Sequence, residues 1–125
     1  MAQPDLTMLS QQLETGDLVG RKLALALGLK PLKECFELLV EIMENDPDYG
    51  IRADAAGALG YLEDPRAFDP LVKALNEDVD WLVRFSAAVS LGNLKNPKAH
   101  DVLIKALNSS EVVIQQAAIA ALGEI

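Results

Sequence analysis

Arg52-Ala53-Asp54-Ala55-Ala56-Gly57-Ala58-Leu59-Gly60 returns in outline as Arg84-Phe85-Ser86-Ala87-Ala88-Val89-Ser90-Leu91-Gly92, and again as Gln115-Gln116-Ala117-Ala118-Ile119-Ala120-Ala121-Leu122-Gly123. Small residues coincide at Ala55, Ala87 and Ala118, and leucines at Leu59, Leu91 and Leu122. Gly28, Gly60 and Gly92 stand 32 residues apart, and Gly123 arrives one residue early. A period of this length marks stacked supersecondary units, each too small to bury its own apolar face. Function is therefore to be sought on a surface the units share rather than in a pocket of one of them.

Outward from the glycine, each copy runs into a turn and another helical stretch. Asp64-Pro65-Arg66-Ala67-Phe68-Asp69-Pro70-Leu71-Val72-Lys73-Ala74-Leu75 matches Asn96-Pro97-Lys98-Ala99-His100-Asp101-Val102-Leu103-Ile104-Lys105-Ala106-Leu107. Proline after Asp or Asn ends one helix and favours the start of the next, because its φ is fixed and it lacks an N–H that a first turn would leave unpaired. The unit is thus a pair of helices. Half of the residues are hydrophobic and few are aromatic, which favours close helix packing over sheet. The spacing predicts four pairs, over 6–14 with 17–28, 32–44 with 47–62, 67–76 with 79–94, and 99–108 with 111–125. One domain of four repeats, about 5–29, 30–62, 63–94 and 95–125, follows.

The run D-x-x-x-x-x-R-x-x-A-A-x-A-L-G, followed from Asp46 to Gly60 and Asp78 to Gly92, resembles HEAT repeats, in particular the short HEAT-like class named after phycobilisome lyases. The linker and first helix D-P-R-A-x-x-P-L add to the resemblance, which covers residues 30–125 well and the first 30 loosely. It implies an all-α fold, a right-handed α-α solenoid whose second helices line the concave side. A ladder of alternating Asp and Arg is also implied. Asp46 and Asp78 are expected to cap the second helices, with Arg52 and Arg84 reaching back to that carboxylate or to the neighbouring repeat's. In the fourth unit Asp gives way to Ser110 and Arg to Gln115 or Gln116, so the ladder is expected to end there. The first role of Arg52 and Arg84 is then structural, with ligand binding second.

Composition narrows the function further. A formal charge of −8 repels polyanions and removes the counterion-release contribution to nucleic-acid affinity, so DNA and RNA are not expected partners. Cys35 is the only cysteine, which excludes an internal disulfide and favours a cytoplasmic protein. The start Met1-Ala2-Gln3-Pro4-Asp5 lacks a basic segment followed by an apolar run, and no stretch is long and apolar enough to insert in a membrane.

Acids, bases and nucleophiles are sparse, and neither catalytic residues nor a metal site are expected. His100, the sole histidine, shares its register with Phe36 and Phe68 and reads as a packing or surface residue. Cys35 shares the small position of Ala67 and Ala99 and reads as a buried small hydrophobe. A reactive thiol carrying a chromophore would need an electropositive setting, and Glu34 and Glu37 flank it. Glu34, Glu37, Glu41 and Glu44 form one stripe opposite Phe36, Leu39, Val40 and Met43. A solvated face is the first reading and a docking site for a basic partner the second.

The aromatic residues say more. Tyr49 and Trp81 are register mates at the first turn of successive second helices, and Phe85 lies one turn beyond Trp81. Leu82 and Val89 extend this apolar character outside the core series Val83, Ala87, Leu91 and Leu94. The candidate binding set is Tyr49, Arg52, Trp81, Arg84 and Phe85, an apolar groove flanked by arginines; alternatively, Trp81 simply covers the helix beneath it. The last helix carries Ala117, Ala118, Ile119, Ala121, Leu122 and Ile125 with no polar closing segment, so either the array continues past Ile125 or this face meets another chain, including a second copy.

A noncatalytic protein-binding scaffold is the function expected first. Rigid stacking would pre-organise the groove and reduce the ordering lost on association. The resemblance implies a phycobilisome context, with a phycobiliprotein as partner and phycobilisome turnover as the process. The rival it brings in is a bilin lyase or lyase subunit. In that reading no resident cofactor is needed, a bilin is the ligand, the arginines pair its propionates and aromatics cover its pyrroles. A third reading assembles a complex through the acidic convex stripe.

Overall fold

Helix starts in this chain are set by a repeated carboxylate device. Asp48 and Asp80 take extended backbone angles, and their side chains accept the backbone N–H of Ile51 and Leu82, meeting the donors a first turn leaves unpaired. Asp46 and Asp78, two residues earlier, accept the N–H of the capping residue itself, each at 2.9 Å. This corrects the expectation that Asp46 and Asp78 cap the helices: they brace the cap. Helix ends are as regular. Glu63 and Lys95 adopt left-handed conformations, φ 56° and 54°, while no described glycine has a positive φ.

The computed structural model describes residues 36–125, together with Gln11, Gly16, Asp17 and Arg21. Within them run α1 (Phe36–Asn45), α2 (Tyr49–Leu62), α3 (Phe68–Glu77), α4 (Trp81–Leu94), α5 (His100–Ala106) and α6 (Val112–Glu124), with short 3-10 turns at Pro65–Ala67 and Pro97–Ala99 opening α3 and α5. Every described element is helical, and the three pairs follow the expected boundaries to within a few residues. Apart from Gln11, Asp17 and Arg21, the pair expected over 6–14 and 17–28 lies outside the described residues, as do Glu34 and Cys35.

Each pair packs on itself, and α2, α4 and α6 stack side by side. Leu39, Met43, Ile51, Leu59, Leu71, Val83, Leu91 and Leu103 are fully buried between the layers. Ala55, Ala56, Ala87, Ala88 and Ala118 are equally buried and let the stacked helices approach closely. The glycines set that approach. A Cβ on Gly60 would lie 2.8 Å from Ser90 Cα, and one on Gly92 2.8 Å from Ala121 Cα. Ser90 Oγ donates to Ala56 O at 2.7 Å across the same contact. Gly60 and Gly92 thus serve equivalent contacts in successive repeats. The α1, α3 and α5 layer makes far fewer contacts along the stack. The helices thus form two layers of an α-α solenoid, α2, α4 and α6 in the closely stacked one, which is the layer the HEAT resemblance puts on the concave side.

Candidate concave binding surface

Helix α4 has α3 beneath it and α2 and α6 beside it, which leaves one side uncovered. Trp81, Phe85, Val89 and Asn93 recur there every four residues and so form one stripe. Trp81 is 48% exposed and Val89 39%; Phe85 is half-buried against the core. The equivalent stripe on α2 is Tyr49, Ala53, Gly57 and Tyr61, and on α6 Val112, Gln116, Ala120 and Glu124. Laid side by side, the stripes make a surface with Tyr49, Trp81 and Val112 along one edge, the small Gly57 and Ala120 on either side of Val89 across its middle, and Tyr61 at the far corner. Tyr49 and Tyr61 are exposed, and a Cβ on Gly57 would meet nothing within 4 Å.

The structure places Tyr49, Trp81 and Phe85 on this surface but gives Arg52 and Arg84 other partners. Arg52 Nε and Nη2 donate to the two carboxylate oxygens of Asp78 at 3.1 and 3.3 Å, and its Nη1 donates to Asp46 O at 2.9 Å. Arg84 repeats the arrangement, donating to Asp78 O at 2.8 Å and to the Glu111 carboxylate. Arg21 likewise donates to Asp46 at 2.9 Å. Each arginine therefore ties the carbonyl of its own repeat's first Asp, where that contact is present, to the carboxylate of the next repeat.

The fourth unit corrects the expected end of the ladder. Its register is shifted by one residue, as the early Gly123 signals, so Ser109 rather than Ser110 replaces the bracing Asp: its Oγ accepts Glu111 N–H at 3.1 Å. Gln115 stands for the arginine and donates to Ser109 O at 2.6 Å. The carboxylate lost at Ser109 is supplied two residues later by Glu111, which sits at the cap position of α6 without capping it. The ladder thus runs one rung further and ends at Gln115, which has no charge to pass on.

Charge on the concave helices follows from this pairing. Among their side chains only Arg52, Asp54, Arg84 and Glu124 are ionic, and the two arginines are matched by Asp78 and Glu111. The exposed Asp54 and Glu124 remain, so the surface is apolar at one edge and weakly acidic.

The other singled-out residues lie elsewhere. His100 is on the surface, its Nδ1 3.1 Å from Asp101 Oδ1. Glu37, Glu41 and Glu44 form an exposed outer stripe, with Glu44 3.6 Å from Lys73. Among the described residues no group of three His, Cys, Asp or Glu side chains is placed to hold a metal ion. Nor is any described helix long and apolar enough to cross a membrane. Sequence reading missed Tyr61 and Gly57 as surface residues. The signal was present in the four-residue spacing Tyr49, Ala53, Gly57, Tyr61 within the helix expected over 47–62, but Gly57 and Ala53 carry no large side chain to mark that side of the helix as a surface.

The family model for HEAT repeats matches residues 6–92 and 80–125. The comparison with curated proteins returns no match.

Proposed function

The chain belongs to the HEAT-repeat family, and from that membership and the geometry of its inner layer we propose that it is a noncatalytic scaffold holding a protein segment on its concave surface. The observation that carries the reading is the row of exposed Tyr49 and Trp81 at equivalent positions of successive helices, beside small residues that let a partner backbone come close. Successive helices in such a stack lie about 8–10 Å apart, close to the roughly 9 Å repeat of a polyproline II chain, which returns every third side chain to the same face. The segment proposed is therefore extended, apolar on one side and carrying Lys or Arg to meet Asp54 and Glu124.

The narrower partner proposed is a phycobiliprotein, in a cytoplasmic phycobilisome setting; the support for it is the likeness of the Asp46–Gly60 and Asp78–Gly92 runs to the phycobilisome-lyase class. The lyase alternative loses its physical footing in one respect, because the arginines assigned to bilin propionates are engaged by carboxylates.

Trp81 is the only tryptophan and reports directly. Titration with purified phycobiliprotein, and separately with a Lys- and Leu-rich amphipathic peptide, should shift its emission to shorter wavelength and protect it from iodide. Trp81→Ala should weaken capture about thirtyfold or more, in line with an aromatic anchor worth roughly 2 kcal/mol or more. Equal capture by wild type and Trp81→Ala would remove the concave surface from consideration; an effect of Glu37→Lys/Glu41→Lys instead would move the site to the convex stripe.

A further inference from the structure

We propose that the segment held on the concave surface is a proline-rich chain in the polyproline II conformation, with Arg or Lys flanking its prolines. The inference rests on the concave-scaffold reading and names the ligand class that the spacing, the free donors and the charge of that surface fit together.

Spacing separates the regular shapes a bound chain can take. The edge of the surface repeats once per helix, through Tyr49, Trp81 and Val112, at the roughly 8–10 Å between packed helices. A β-strand returns a side chain to one face about every 6.6 Å and falls out of step after one helix. An α-helix returns one about every 10.5 Å, over two turns, but its width of about 10–12 Å holds its backbone away from the surface. Polyproline II returns one about every 9 Å on a thin backbone. The middle of the surface admits such a backbone, since Gly57 is open at its Cβ position and Ala120 is exposed.

Hydrogen-bonding capacity points the same way. A helix satisfies its own carbonyls, whereas polyproline II makes no internal hydrogen bonds and leaves each carbonyl to be met from outside. Tyr49 and Trp81 are 53% and 48% exposed, and their O–H and N–H find no acceptor among the described residues. Each offers a flat face to a prolyl ring and a donor to the carbonyl beside it. The exposed Asp54 and Glu124 call for basic residues around the prolines. A chain already held in this conformation also loses little freedom on binding.

Two peptides test the inference by calorimetric titration and by Trp81 emission: a run of Pro-Leu-Pro triplets between terminal arginines, and the same peptide with Thr for every Pro. The proline peptide should move the emission to shorter wavelength and bind at least tenfold more tightly than the threonine peptide. Its mirror image in D-residues, identical in charge and hydrophobicity, should bind as weakly as the threonine peptide. Tyr49→Phe keeps the ring and removes only the O–H; it should weaken binding about threefold to tenfold with an unchanged circular-dichroism spectrum. Equal binding of the proline and threonine peptides, equal binding of the mirror image, or an unaltered affinity in Tyr49→Phe overturns the proposal. A Trp81 response to phycobiliprotein or to the Lys- and Leu-rich peptide, but not to the proline peptide, overturns it and leaves the concave scaffold standing. Silence of Trp81 toward all of them overturns both.

Discussion

Gly57 and Gly60 share one helix and do opposite things, which makes them a test of the packing at single-residue resolution. Glycine inside a helix sacrifices about 0.5–1 kcal/mol relative to alanine through the freedom it loses on folding. At Gly60 that sacrifice is required, because a Cβ would press on Ser90 backbone at 2.8 Å; at Gly57 nothing inside the chain requires it. Gly57→Ala should therefore raise stability by about 0.5–1 kcal/mol in urea unfolding, and Gly60→Ala should lower it by roughly 1–3 kcal/mol as α2 and α4 are forced apart. Equal effects at the two sites would mean that the close approach of the helices does not govern the stack. If Gly57 is kept bare for a partner's backbone, the same Gly57→Ala protein should be more stable yet bind less well, a separation that a purely structural glycine would not give.

The helices and their connections show where sequence pattern was enough and where it was not. Pro65 and Pro97, with the Asp or Asn before each, located the break between helices because proline geometry is local. The alanine columns located the buried faces because packing needs small residues at fixed spacing. The cap was not legible in the same way: Asp46-Pro47-Asp48 and Asp78-Val79-Asp80 offer two carboxylates each, and only backbone angles decide which one caps. Glu111 was hidden by the one-residue shift of the fourth unit and by a change of role, from cap to ladder partner. The ladder itself is an element-to-element tie whose worth can be measured. Arg52 and Asp78 are 13% and 11% exposed at their side chains, so removing one partner strands the other in poor solvent. Arg52→Ala and Asp78→Ala should each lower stability by about 3 kcal/mol, and the double variant should lose far less than the sum. Additive losses in such a cycle would show that the two side chains stabilise the stack separately.

At the scale of the whole molecule, a solenoid has no centre, only neighbours, and its stability is distributed accordingly. Each repeat is held by its own helix pairing and by the interfaces before and after it. Helix α4 has both interfaces, joining α2 through Gly60 and Ser90 and α6 through Gly92 and Ala121. Helix α6 has one, and its pair partner α5 is the shortest of the described helices. Opening the stack at α6 therefore breaks one stacking interface, whereas opening at α4 breaks two, and free energies of local opening should rise from α6 inward. Native-state hydrogen exchange should show α6 amides exchanging through a low-energy opening and the amides around Val83–Leu91 exchanging only with global unfolding. Uniform protection across α2, α4 and α6 would contradict the nearest-neighbour account.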